Sequence, residues 1–374
     1  MCIRPGTPLS LERARRLAQG YVENCNTGPY TKMVSAEGRT SVREMIHRDV
    51  CAKLTDEPRA VSVSLREFAA VVPIEVRRDH SFSGLAWLSD PQPGMLVFLE
   101  DRKFLRLLRR TPEISCVITT PELSHELRDI PGLAIAPNPR RAFFDFHNHL
   151  AQHTDYYWSD FPTLIDKTAK IHPRACIAEK NVRIGPGTVV EANATIAERC
   201  LIGSSVVIRA GSVVGLIGFQ TSRFDDGMVD MVHAGGLRLD DHVEVMANAV
   251  IARAVFRGYT AIGEYCKIGN VSFISHSVQI GPRSIIGHGA VINGNVKIGA
   301  DVWIGPGATL VHSIEIGDRA QISLGSAVMR TVRAGRRVTG NIAIDHTRYL
   351  RHLASLSRQA HDTRPRRGDP TGDD

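Results

Sequence analysis

"KIGNVSFISHSVQIG", residues 267–281, carries isoleucine at every sixth position: Ile268, Ile274 and Ile280. A period of six fits neither an amphipathic helix, which repeats at about 3.6, nor a hairpin strand, which alternates at every second residue. It is the period of a parallel β-helix. Reading outward, the frame runs from Ile262 through Ile268, Ile274, Ile280, Ile286, Ile292, Ile298, Ile304, Leu310, Ile316 and Ile322 to Val328 without a miss. A second array runs Ile165, Ile171, Ile177, slips by one residue, and continues through Ile184, Val190, Ile196, Ile202 and Ile208 to Val214. Three six-residue strands make one coil, with successive coils at the ordinary strand spacing of roughly 4.8 Å. Glycine often follows the aliphatic residue, as at Gly185, Gly203, Gly263, Gly269, Gly287, Gly299, Gly305 and Gly317, where a Cβ would clash as the chain turns.

Between the arrays the register fails. Residues 215–236, "GLIGFQTSRFDDGMVDMVHAGG", have no six-residue pattern; Leu239, Val245 and Ile251 resume it, and a second slip follows near "FRGYT". A long excursion from a tightly wound solenoid is a functional-loop signal. Upstream, "GMLVFLE", "SCVITT" and "GLAIAP" are short strand-like runs, while "RKFLRLLRR" and "RRAFFDFHNHL" have helical spacing, as in a small α/β domain. The expected organisation is an N-terminal extension over 1–61 with helices capped by Ser10 and Ser41. The α/β domain follows over 62–150, then the repeat solenoid over 160–338 with its extruded loop at 215–238. A helical segment over 339–361 and a disordered tail over 362–374 complete the chain.

The seven cysteines are scattered without a CxxC pair, so neither a disulfide framework nor a zinc cluster is indicated, and a reducing cytoplasm is the expected setting. No signal-peptide core or membrane-length apolar run occurs. The formal charge of +7 is concentrated in arginines at 102–110, 330–337 and 364–367. It favours anionic partners. Nucleic acid is disfavoured because the basic runs are not interleaved with aromatics, which form only 6% of the chain.

His276 follows the inward Ile274 by two residues, so it projects outward from a coil. Eighteen residues on is Gly294, and eighteen beyond that is His312. Stacked coils put the three in a column, with a small residue between two imidazoles roughly 10 Å apart. Such a notch suits a substrate better than a metal, because imidazoles at that distance share no ion. His233, His242 and His288 read as solvated surface residues.

The segment 267–281, together with "VVGLIGFQ" and "HVEVMANAVIARAVF", resembles the core of the UDP-3-O-(3-hydroxyacyl)glucosamine N-acyltransferases, hexapeptide-repeat enzymes of lipid A synthesis. The likeness runs from about residue 62 to the C-terminal helix. "FLEDRKF" is similar to that family's F-x-x-N-x-x-Y uridine-binding pattern, with Phe98, Asp101 and Phe104 at its spacing. The resemblance implies a mainly β protein: a left-handed parallel β-helix forming a homotrimer, with a small α/β domain before it, a helix after it, and active sites in clefts between subunits. It implies His276 as general base for transfer of an acyl group from a thioester to the amine of a UDP-aminosugar. The donor is the 4′-phosphopantetheine of an acyl carrier protein, or coenzyme A, with no bound cofactor. Phe98 and Phe104 would flank the uracil, Lys103 would reach the diphosphate, and Asn270, Gly294, His312 and Phe219 complete the substrate-binding set, with a Gly294 N–H available to an oxyanion.

The sequence departs from that pattern at several points. Gly269 replaces an aspartate seven residues before the base, Ala252-Arg253-Ala254 replaces D-R-G, and Asp101 replaces an asparagine. As a carboxylate, Asp101 can only accept, for example from uracil N3–H. Two other functions therefore stand beside the first: coenzyme A-dependent O- or N-acetyl transfer to a sugar or natural product, and a catalytically silent nucleotide-sugar-binding scaffold.

Overall fold

The computed structural model describes residues 62–90, 92–340 and 345–362. The helices expected at Ser10 and Ser41 and the tail beyond Asp362 lie outside these residues.

From Leu164 to Val338 the chain winds as a three-sided parallel β-helix. Each side is a sheet of eight or nine short strands in which neighbours come from successive coils. On the first face Gln279–Ile280 pairs with Lys297–Ile298; on the second Ile285–Ile286 pairs with Trp303–Ile304; on the third Phe273–Ile274 pairs with Val291–Ile292. In-register stacking puts like residues over like. All twelve aliphatic positions from Ile262 to Val328 are buried in one core, as are those from Ile184 to Val214. Ile165, at the open end of the first coil, is 45% exposed because no earlier coil covers it.

The corner chemistry differs in one respect from the simple glycine reading. Glycines directly after the aliphatic residue lie where the next coil approaches closely: a Cβ at Gly269 would stand 2.5 Å from the His288 backbone nitrogen. The left-handed backbone falls two residues later, at Ser277, Arg283, Gly289, Asn295, Asp301 and their equivalents. The glycines at these two sites answer to different constraints, one of space and one of φ.

Both register breaks build contacts to the α/β domain. The excursion after Val213–Leu216 contains an antiparallel hairpin, Thr221–Phe224 with Gly227–Asp230. Its Phe224 ring meets Phe144 at 5.8 Å, and Asp226 accepts from Arg141 at 2.6 Å. The slip near "FRGYT" projects Phe256 into the domain, where its ring lies 5.2 Å from Trp87 and 5.8 Å from Phe143.

The domain itself is a five-stranded sheet in the order 75–78, 132–135, 114–119, 95–99, 84–85. The helix Pro139–His153 packs on it, capped by Asn138 with proline in its first turn. Lys297 Nζ, on the β-helix, lies 3.0 Å from Asp90 of this domain. A second long helix, His346–Asp362, follows the last coil, and among the described residues no helix is long and apolar enough to cross a membrane.

Candidate active site

A cavity of about 700 Å³ opens where the corner between the third and first faces meets the α/β domain. Stacking of coils at that corner sets its floor. Asn295 N donates to His276 O at 3.0 Å and Ser313 N to Gly294 O at 3.0 Å, so the column expected from the eighteen-residue spacing is a hydrogen-bonded ladder. His276, Gly294 and His312 all line the cavity, with Asn293 and Asn295 beside them. The excursion leaves from this same corner two coils below and brings Phe219 and Gln220 to the rim; Phe219 is 85% exposed. The opposite wall is the α/β domain, with Phe98, Asp101, Lys103, Phe104 and Arg140. Asn270 is not among the lining residues. It sits at the preceding corner, where its backbone N–H donates to His288 Nδ1 at 2.9 Å.

His276 is outward with respect to its coil yet only 6% exposed. Its ring lies over Gly294: a Cβ there would be 2.4 Å from His276 Cε1 and 2.7 Å from Nε2. The small residue therefore does not leave an open notch between two imidazoles; it makes the bed on which one of them rests. Burial lowers the His276 pKa to about 4, because a charged imidazole is poorly solvated there. The side chain is neutral at pH 7 and able to accept a proton.

His233 overturns its expected surface role. It is 2% exposed, and its ring meets that of His276 edge-on at 5.4 Å, with 74° between the planes. Burial, followed by the neighbouring His276 ring and the Arg253 charge, lowers its pKa to about 3. His242 and His288 are exposed, and His242 stacks on Tyr265 at 4.5 Å. No periodic signal marked His233, since it lies in the excursion where the frame is lost.

On the opposite wall, Phe98 is half-buried, 5.2 Å from Phe143, with the Arg140 guanidinium over its ring at 5.7 Å. Phe104 is 44% exposed, with Lys103 Nζ 4.9 Å from its ring centre. Asp101 caps the short 3₁₀ turn Arg102–Phe104, accepting from Lys103 N at 2.9 Å and pairing with Lys103 Nζ at 2.7 Å. The Lys103 hydrogen bonds lower its pKa, and much of its acceptor capacity is already used. Arg140, paired with Glu100 at 2.8 Å, is a cationic lining residue that the motif reading missed. The proline at the helix start just before it was the available signal. Among the described residues no cluster of three or more His, Cys, Asp or Glu is arranged to hold a metal ion.

Residues 181–215, 259–294 and 295–326 match the family model "bacterial transferase hexapeptide (six repeats)". The last two segments contain His276, Gly294 and His312. The matched segments are coils of the three-sided parallel β-helix, so its repeats are hexapeptide repeats. The chain is 29% identical over 233 residues to UDP-3-O-acylglucosamine N-acyltransferase 2 of Legionella pneumophila (strain Paris), covering 54% of this chain and 66% of that relative. It is 28% identical over 255 residues to UDP-3-O-acylglucosamine N-acyltransferase of Coxiella burnetii (strain Dugway 5J108-111), covering 61% of this chain and 73% of that one. Among solved structures, the Francisella novicida UDP-N-acetylglucosamine acyltransferase is similar, with a TM-score of 0.41 at 20% identity, over 51% of this chain and 71% of that chain. The chain therefore spans about two thirds of the length of the Legionella relative.

Proposed function

We infer that this hexapeptide-repeat protein, a relative of the UDP-3-O-acylglucosamine N-acyltransferases, moves an acyl group from a thioester to the amine of a UDP-linked aminosugar. The observation that carries the reading is a neutral, buried imidazole, His276, in the same cavity as Phe98 and Phe104.

The chemistry follows from the cavity's two walls. Phe104 and Phe98 offer apolar faces for a flat base, and Lys103 and Arg140 offer positive charge for a diphosphate. With the nucleotide held there, the sugar amine reaches toward His276. Its lone pair attacks the thioester carbonyl carbon, and His276 Nε2 takes the proton released from nitrogen. The tetrahedral oxyanion collapses, the C–S bond breaks, and the imidazolium returns its proton to the departing sulfur as a thiol. No acyl-enzyme forms. Gly294 occupies the corner position at which proline stands in other turns, as at Pro282 and Pro306, so the ladder does not need its N–H, which is free to serve the oxyanion.

The donor in this reading is an acyl group on the 4′-phosphopantetheine of an acidic carrier protein. The support is the +7 charge and the exposed Arg330, Arg333, Arg336 and Arg337 in the last coil. The reading extends to a cytoplasmic homotrimer: the second face carries Ile285 and Trp303 side by side, 46% and 38% exposed, an apolar strip suited to a partner subunit.

The test is a donor competition. The protein is incubated with a UDP-aminosugar and either acyl-carrier thioester or short-chain acyl-coenzyme A. Consumption of the carrier thioester with an N-acylated product supports the reading; consumption of acyl-coenzyme A alone moves the protein to the acetyltransferases, and no turnover with either leaves a binding scaffold.

A further inference from the structure

We propose that His233 is a positioning residue for His276: its Nε2 accepts a hydrogen bond from His276 Nδ1–H, directly or through one water, and so fixes the tautomer in which His276 Nε2 carries the lone pair. This rests on the reading of His276 as the base.

The argument begins with two orphaned atoms. Among the described residues, His276 Nδ1 and His233 Nε2 are both buried nitrogens without a hydrogen-bond partner, and they belong to rings 5.4 Å apart. Buried polar atoms are almost always paired. The rings are not hydrogen-bonded as they stand, but a small rotation or one water between them pairs the two nitrogens, provided one is protonated and the other is not. The protonation state of His233 is set from its other side, where the ring is hydrogen-bonded to the Met231 backbone. That bond favours the protonated ring, as an accepting carbonyl does, and with Nε2 unpartnered its donor is Nδ1–H, which leaves Nε2 as an acceptor. An acceptor facing His276 Nδ1 requires the proton there, which leaves Nε2 basic.

The backbone around His233 is held at every residue. Met231 N donates to Gln220 O at 2.8 Å, and Val232 N donates to Asn148 Oδ1 at 2.9 Å. His147 Nε2 donates to Val232 O at 2.7 Å, its Nδ1 accepting from the Tyr157 hydroxyl at 2.7 Å. Arg253 Nε donates to His233 O at 2.8 Å, and Arg199 to Ala234 O. A solvated surface histidine needs no such clamp; a ring that must meet another ring does.

The space around the ring is also set by its neighbours. A Cβ at Gly218 would stand 2.9 Å from His233 Nε2 and 3.4 Å from the Ala252 methyl. The absence of a side chain at Gly218 therefore leaves the room that His233 Nε2 occupies, beside the Ala252 methyl.

The test uses His233→Phe, which keeps the bulk and removes the acceptor, and His233→Gln, which keeps an acceptor. Nitrogen-15 NMR of the imidazoles reads the His276 tautomer, and steady-state kinetics with the substrate pair read kcat and KM. In the unaltered protein His276 is expected as the Nδ1–H tautomer. His233→Phe mixes the tautomers and lowers kcat about 10- to 100-fold with KM within about twofold, whereas His233→Gln stays within about threefold on both. Unchanged His276 nitrogen shifts in His233→Phe overturn the proposal, as does a His233→Gln kcat as low as that of His233→Phe, which would mark a packing role. If the protein acylates nothing, the base reading fails, while the NMR comparison still decides whether His233 sets the tautomer.

Discussion

The His276 imidazole rests directly on Gly294, so closely that a methyl group at residue 294 would sit 2.4 Å from its Cε1. Gly294 φ is not in the left-handed region, so the requirement for glycine is one of space alone. The obstacle to Gly294→Ala is a side chain that can swing aside, and the coil should survive the substitution. We expect Gly294→Ala to lower kcat about 100-fold, the cost of moving a reacting group by about 1 Å. Its thermal midpoint should fall by no more than a few degrees, and kinetics and circular dichroism on one preparation check both.

Phe104 separates nucleotide binding from chemistry. Because it is 44% exposed, its removal leaves the domain core intact. Phe104→Ala should weaken binding of a uridine nucleotide by about 1–3 kcal/mol, the range for a lost stacking partner, while kcat at saturating substrate stays within about twofold. Titration calorimetry with UDP and saturation kinetics are the measurements.

Three buried imidazoles make stability depend on pH. Burial lowers the pKa of His147 and of His276 to about 4 and that of His233 to about 3. Each binds a proton in the unfolded chain at its ordinary value of about 6.5 and stays neutral in the folded one. The folded state is therefore favoured above pH of about 6.5, and the advantage is lost as pH falls toward about 4. The slope in that window approaches about 4 kcal/mol per pH unit if all three contribute fully. Urea denaturation at pH 7, 6 and 5 checks it; a flat profile would contradict the burial of these rings.

Val271 stands at a left-handed corner, with φ of 58°, and is 67% exposed. A β-branched side chain in that conformation costs about 1–2 kcal/mol, and among the described residues no other left-handed corner carries one. Val271→Gly should raise stability by about 1 kcal/mol, seen as a higher denaturant midpoint with an unchanged slope.

The solenoid was legible because a period of six admits one architecture, and every predicted inward position from Ile262 to Val328 is buried. The His276, Gly294 and His312 column was legible for the same reason, as stacking turns sequence spacing into contact. What escaped lies where the period breaks. The excursion and the slip near residue 256 read only as interruptions, because what they serve is tertiary: Phe256 packs on Trp87 and His233 on His276. Asp101 lines the cavity, and the motif spacing gave no sign that its carboxylate also caps the turn that begins at Arg102.

The most direct test of the account is acyl transfer by His276→Ala, measured in single turnover with the nucleotide site saturated. The account predicts a folded protein that binds the UDP-sugar normally and transfers the acyl group at least about 100-fold more slowly. Transfer at the unaltered rate by a folded His276→Ala protein would contradict it.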